Sequence, residues 1–175
     1  GIDHLANSQS SRDLPANIEI MNNRFTGDEG TAMLEIIHDI APEASLAFAD
    51  RGNSESDFIN SITLLKNAGC TIICDDILFP LEPVYEDGMI AQTIDDLVSS
   101  HNIIYISAAG NDQLDHYEQD FTDNDNDGWQ NFAANDETMN IQLSAGAEIT
   151  AVLQWNNQFG KTGDDYDLYI YNEQL

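Results

Sequence analysis

Several side chains in this sequence sit where open α/β sheets carry out their chemistry. Glu29 stands near the head of the stretch GDEGTAMLEIIHDIAPEA (27–44), Asp50 follows SLAFA, Asp75 and Asp76 follow the apolar run CTIIC, and Asn111 follows IIYISAAG. A carboxylate at a helix start can accept a proton, and an asparagine amide beyond a strand can donate to a developing negative charge. Ligands of open parallel sheets bind beyond the carboxyl ends of the strands. That rule gathers Glu29, Asp75, Asp76 and Asn111 around one cleft. A second pattern, DNDNDG, places Asp123, Asp125 and Asp127 at alternate positions before Gly128. This is the first half of an EF-hand loop, whose oxygens suit calcium. Position twelve of that loop is Ala134, so Asn135, Asp136 or Glu137 would have to complete it. Asp164, Asp165 and Asp167 form a weaker acidic group. No His/Cys cluster has the spacing of a zinc site.

The elements that must position these groups are legible from periodicity. Met33, Ile36, Ile37 and Ile40 share a helical face over 29–40, and Pro42 ends it. Phe58, Ile59, Ile62 and Leu65 predict a helix over 54–67, closed by Gly69. Met89, Ile90, Ile94, Leu97 and Val98 predict another over 86–99. Strands are expected at 45–49, 70–74 and 103–109. Helices alternating with fully apolar strands argue for a parallel sheet covered on both faces. After about Asp115 the pattern changes. The stretches NIQLSAGAEITAVLQWNN and YDLYIYN alternate as strands do, with SAG as a turn. The expected organisation is a partial α/β domain over 1–115 and a partial antiparallel β sandwich over 116–175.

Plainer readings exist for the same residues. Thr26 and Glu29 have the T-x-x-E spacing of a capping box. Asp75 and Asp76 can end a strand and satisfy loop amides, and Asn111 can be a turn residue. His38 is expected to be packed within its helix. Cys70 and Cys74, on one extended run, are separated by about 13 Å, too far for a disulfide, and are expected as buried thiols.

Charge narrows the partners. The 175 residues carry 32 acidic and 5 basic side chains, a formal charge of −27, with 42% apolar content. Lys and Arg are absent from Asn67 to Gly160. Such a surface repels phosphate backbones and anionic lipid, so no nucleic-acid or membrane partner is expected. It suits an extracellular, secreted or cell-surface protein, a salt-rich habitat, or a surface loaded with divalent cations. No apolar run reaches the roughly 18 residues of a bilayer span, and any signal peptide is expected outside this sequence. No G-x-G-x-x-G or P-loop pattern follows a strand, which disfavours nucleotide binding.

With these residues in view, EGTAMLEIIHDIAPEA resembles the subtilases, in which H-G-T, a helix, an I-A-P-x-A turn and a strand carry the catalytic histidine. IIYISAAGND is similar to their strand ending in A-A-G-N, whose asparagine completes the oxyanion hole. Both motifs agree in order and spacing, and the likeness covers roughly residues 18–115. It implies a subtilisin-like, Rossmann-like three-layer α/β fold, with the partial sandwich similar to inserts and appended domains of bacterial secreted proteases. Asn111 would then be the oxyanion donor, and Glu29 would stand in place of histidine. The sedolisin branch uses glutamate there as general base, with an aspartate one turn on. That position is Met33 here. Sedolisins also replace the oxyanion asparagine with aspartate, which this chain does not.

The resemblance implies a serine endopeptidase acting on polypeptides through an acyl-enzyme, with Glu29 as base. Asp28 and the pair Asp75/Asp76 are carboxylate neighbours that would raise the pKa of Glu29, so an acidic optimum is expected. No G-T-S-x-A turn and no upstream catalytic aspartate occur in the sequence. The nucleophile would come from the remainder of a parent protease, and this chain alone is expected to be inactive. Two other readings stand beside it. One is a catalytically dead pseudopeptidase scaffold. The other is a calcium-dependent binding or adhesive module carried by residues 120–175.

Overall fold

The computed structural model describes residues 1–172 except Gln113, Asn135 and Thr162. In chain order its elements are α1 (Leu5–Ser11), β1 (Ile18–Asn22), α2 (Glu29–Ile40), β2 (Leu46–Ala49), α3 (Glu55–Asn67), β3 (Ile72–Asp75), α4 (Met89–His101) and β4 (Ile104–Ser107). The chain is mixed α/β. Gly1–Ala109 with Gln154–Leu175 form one compact unit, and Gly110–Leu153 a second.

In the first unit, β1 pairs in parallel with β2, Ile18 opposite Leu46, and β3 with β4, Ile72 opposite Ile104. Each pair is the sheet of a β–α–β unit, with α2 or α4 as the crossover. Where the apolar runs suggested one sheet covered on both faces, the described strands form two separate parallel pairs. The burial also differs. Ile73 is buried, whereas Ile72, Ile104 and Ile106 are 59%, 58% and 54% exposed. One face of β3–β4 therefore packs on helices and the other is bare.

Local chemistry sets the helix ends. Ser54 caps α3 by accepting the Asp57 N–H at 3.1 Å, and Glu55 and Asp57 favour its positive end. Gly69 (φ +92°) lets the chain leave α3, its N–H reaching the Lys66 carbonyl. The α2 helix ends at Ala41, which Pro42 keeps out of the helical region. Glu82 lies ahead of α4 and accepts the Ile90 N–H at 3.1 Å, satisfying an orphan donor of its first turn. Two apolar clusters lie beneath. Phe58, Ile62, Ile73, Ile90, Leu97 and Ile103 join α3, α4 and the second sheet. Ile2, Leu14, Leu34 and Leu46 join the N-terminal segment, α2 and β2.

The antiparallel β sandwich expected over 116–175 is not formed among the described residues. They hold only an isolated antiparallel bridge between Ala133 and Asp136. The SAG turn does exist, with the Ala147 N–H on the Ser144 carbonyl and Gly146 at φ +83°. Among the described residues its flanks do not pair, and the alternating Ile141, Leu143, Ile149 and Val152 are exposed. Alternation supplies one apolar face, but a strand also needs partners for its backbone, and an isolated hairpin is marginal in water.

Candidate functional site

Glu29 is the first residue of α2 and is exposed. The N-cap is Asp28, so the Thr26–Glu29 capping box does not form. Asp28 accepts the His4 N–H at 2.7 Å and the Thr31 hydroxyl at 3.3 Å, and its second oxygen bonds His4 Nδ1. Hydrogen bonding to His4 holds the Asp28 carboxyl below its ordinary range, and the same bond, followed by the Asp28 charge, raises His4. Among the described residues no hydrogen bond or ion pair joins Glu29 to Asp28, Asp75 or Asp76.

The carboxyl ends of β1 and β2 are occupied by a polar network. The Asn22 side-chain oxygen accepts the Asp50 N–H at 2.6 Å, and its amide donates to Ser61 at 3.1 Å. Asp50 is 5% exposed. It accepts from the Arg24 backbone N–H, from the Arg24 guanidinium at 3.1 and 3.2 Å, and from the Gly52 N–H at 3.0 Å. Burial pushes this carboxyl up, but the donors outweigh it and the net shift is downward. The β1 strand was not anticipated. It lies upstream of α2 as the resemblance requires, but Ile18–Asn22 contain no aspartate.

At the carboxyl ends of β3 and β4 lies a cavity of about 150 Å³ lined by Phe58, Asp75, Ile77, Phe79, Glu82 and Ser107 among others. Asp75 accepts the Ser107 hydroxyl at 3.0 Å and the Ile77 N–H at 3.1 Å. Burial first, then the neighbouring Asp75, pushes ionisation of the Tyr105 hydroxyl far up. That hydroxyl and Glu82 Oε2 are buried with no hydrogen-bond partner among the described residues. Asp76, the next residue, is exposed and does not line the cavity. Successive side chains leave a strand on opposite faces, so only one of the two aspartates can face inward. Asn111 follows Gly110 (φ +77°) beyond β4, is exposed, and belongs to the second unit.

That unit also carries the acidic loop. One oxygen from each of Asp123, Asp125 and Asp127 lies within 4.8 Å of the others, so the three could hold a metal ion. Asp123 is fixed by N–H groups of Asn126 (2.7 Å), Asp127 (3.2 Å) and Gly128 (2.9 Å). These bonds, that of Gly128 foremost, lower its pKa despite partial desolvation. Gly128 at φ +94° makes the sharp turn expected of the loop. Buried Asn131 braces the loop by accepting the Asn124 N–H at 2.6 Å. Desolvation, then the charges of Asp127, Asp125 and Asp123, raise the pKa of Glu137. Asp136 instead accepts from Thr138, and Asn135 lies outside the described residues. Asp164, Asp165 and Asp167 form no such group among the described residues.

Other expectations resolve simply. Cys70 and Cys74 are free and half-buried, and burial pushes both thiols up. His38 is half-buried with its Nδ1 enclosed and unpaired among the described residues. Sequence reasoning missed His4, Glu82, Tyr105 and Ser107. The signal available for Tyr105 was a polar tip within an apolar strand. For Glu82 it was an acid ahead of a helix start that has Gly88 as its cap. In comparisons with protein-family models, curated proteins and solved structures, nothing matches the chain.

Proposed function

We propose that the chain is part of a secreted or cell-surface serine endopeptidase of the subtilisin/sedolisin type. Residues 1–115 would belong to its peptidase domain, and 116–175 to an inserted or appended domain. The observation that carries the reading is the helix–turn–strand unit from Glu29 to Ala49, followed four elements later by β4, the strand running into A-A-G-N. The parallel order of β1–α2–β2 and β3–α4–β4 supports it.

In this reading a serine elsewhere in the parent protein attacks the scissile carbonyl of a polypeptide. Glu29 takes the hydroxyl proton, and the Asn111 amide donates to the oxyanion. Collapse of the tetrahedral species expels the amine, which carries away the proton, and water then releases the acyl group. A carboxylate base works best when its pKa lies near the operating pH, which gives an acidic optimum. The triad Asp123, Asp125 and Asp127, helped by Glu137, would hold calcium in a structural role, since hard carboxylate oxygens match that ion.

The exposure of Glu29, with no carboxylate partner among the described residues, favours a second reading as a pseudopeptidase scaffold. The test uses the parent protein. Labelling with a fluorophosphonate and acid-range peptide hydrolysis should both be present. Glu29→Gln should lower turnover by about 10²–10⁴. Asn111→Ala should lower kcat with little change in KM, by about 10²–10³, a value taken from subtilisin itself. No labelling overturns the peptidase reading in favour of the scaffold, and turnover indifferent to Glu29→Gln overturns Glu29 as the base.

A further inference from the structure

We propose that Gly1–His4 forms a clasp on the first turn of α2 that holds Glu29 in place and opens when His4 loses its proton. The significance of Glu29 in this proposal rests on its reading as the base. The clasp itself is built from bonds on both sides of that residue. The Asp3 N–H donates to the Gly27 carbonyl at 3.0 Å while the Gly27 N–H donates to the Asp3 carboxylate at 2.8 Å. Next in line, His4 bonds Asp28 through both its N–H and its ring. Beyond Glu29, the Gly30 N–H donates to the Gly1 carbonyl at 3.0 Å. Residues 28 and 30 are thus tied to the same short segment, and Glu29 lies between them.

The segment is anchored and the fit is close. Ile2 is buried with Leu34 of α2. A Cβ on Gly30 would come within 2.9 Å of the Gly1 carbonyl oxygen, so the backbones meet where only glycine fits. The charged groups facing His4 are Asp28, across the clasp, and Asp3, its neighbour. No acidic residue occupies the first turn of α1.

The sign of the pH dependence follows. A histidine raised by a partner stabilises the closed form below its ordinary value, and that contribution is lost as pH rises through the raised one. Asp28 is lowered, so its contribution is lost only as pH falls through its depressed value. The clasp is closed between those limits, across the acidic range where a carboxylate base would work, and opens on the alkaline side.

Two-dimensional NMR of this chain tests it without turnover. His4 should titrate above the same histidine in a peptide of residues 1–8. The Glu29 and Gly30 amide resonances should move with the His4 midpoint. Above that midpoint Gly30 exchange should quicken about two- to five-fold beyond its intrinsic rise, the range of an exposed ion pair. Asp28→Asn should return His4 to its ordinary value. His4→Gln, at an exposed position, should preserve the fold and remove the pH response of Glu29 and Gly30. Amide resonances flat through the His4 midpoint, or a response that survives His4→Gln, overturn the clasp. Failure of the peptidase reading would appear separately, as absent labelling of the parent protein.

Discussion

Asp50 shows how a single carboxylate is committed to structure. Its oxygens are taken by the Arg24 backbone and guanidinium and by the Gly52 N–H, inside a buried site. Its lowered pKa means that it stabilises the fold above the unfolded carboxylate range and stops doing so as pH falls through the folded value. Asp50→Asn should lower stability at pH 7 by about 1.5–3 kcal/mol, the range for bonds to a charged group. Urea unfolding at pH 7 and at pH 3 should show that gap narrowing in acid; an equal gap at both would refute the ionic account. Residue types marked this aspartate and Asp75 as strand-end groups. They did not show that Asp50 would be consumed by Arg24, because that pairing joins positions 26 apart, with α2 and β2 between them. Nor did they separate Asp75 from Asp76, which required the strand's facing to be known.

At the scale of elements, periodicity found α2, α3, α4 and the strands β2, β3 and β4 because each carries its own apolar repeat. It missed α1, whose sequence LANSQSS has no such repeat and which lies between the buried anchors Ile2 and Leu14. It missed β1 because Ile18–Asn22 is short and is held by pairing with β2. In the second half alternation was present, and among the described residues the expected strands do not pair. The capping residues sharpen the point. Ser54 accepts a backbone N–H at the start of α3, while Thr26 lies outside the α2 cap. Ser54→Ala should cost about 1 kcal/mol, and Thr26→Ala should be near neutral. Thermal unfolding of the two variants side by side checks this, and a larger loss for Thr26→Ala would restore the capping box.

For the whole molecule the dominant quantity is the charge of −27. Self-repulsion of this size destabilises compact states, and salt relieves it by screening. Calcium should do more than screen if the aspartate triad binds it. Ligand at about 100 times its Kd adds about 2.7 kcal/mol to the unit that binds it. Millimolar calcium should therefore raise Tm beyond what sodium chloride of equal ionic strength achieves. Asp125→Asn should remove the calcium increment and leave the salt increment. Equal gains from both salts in the unaltered chain would leave the triad as a solvated acidic loop. The grouping of the three aspartates was legible, since they lie within one short loop. The cavity at β3 and β4 was not, since its lining comes from distant parts of the chain.

The bare isoleucine face of β3–β4 acquires a consequence when set beside that charge. A strand pair with exposed Ile72, Ile104 and Ile106 is a template for self-association, and what opposes it is mutual repulsion between highly charged molecules. That repulsion vanishes near the isoelectric point of about 4.1. Acidification thus moves the chain toward the pH at which a carboxylate base would be most useful and, in the same step, strips away its colloidal protection. Handling this chain in acid becomes a matter of dilution and added salt type, and the covering of that sheet face becomes a condition for working there.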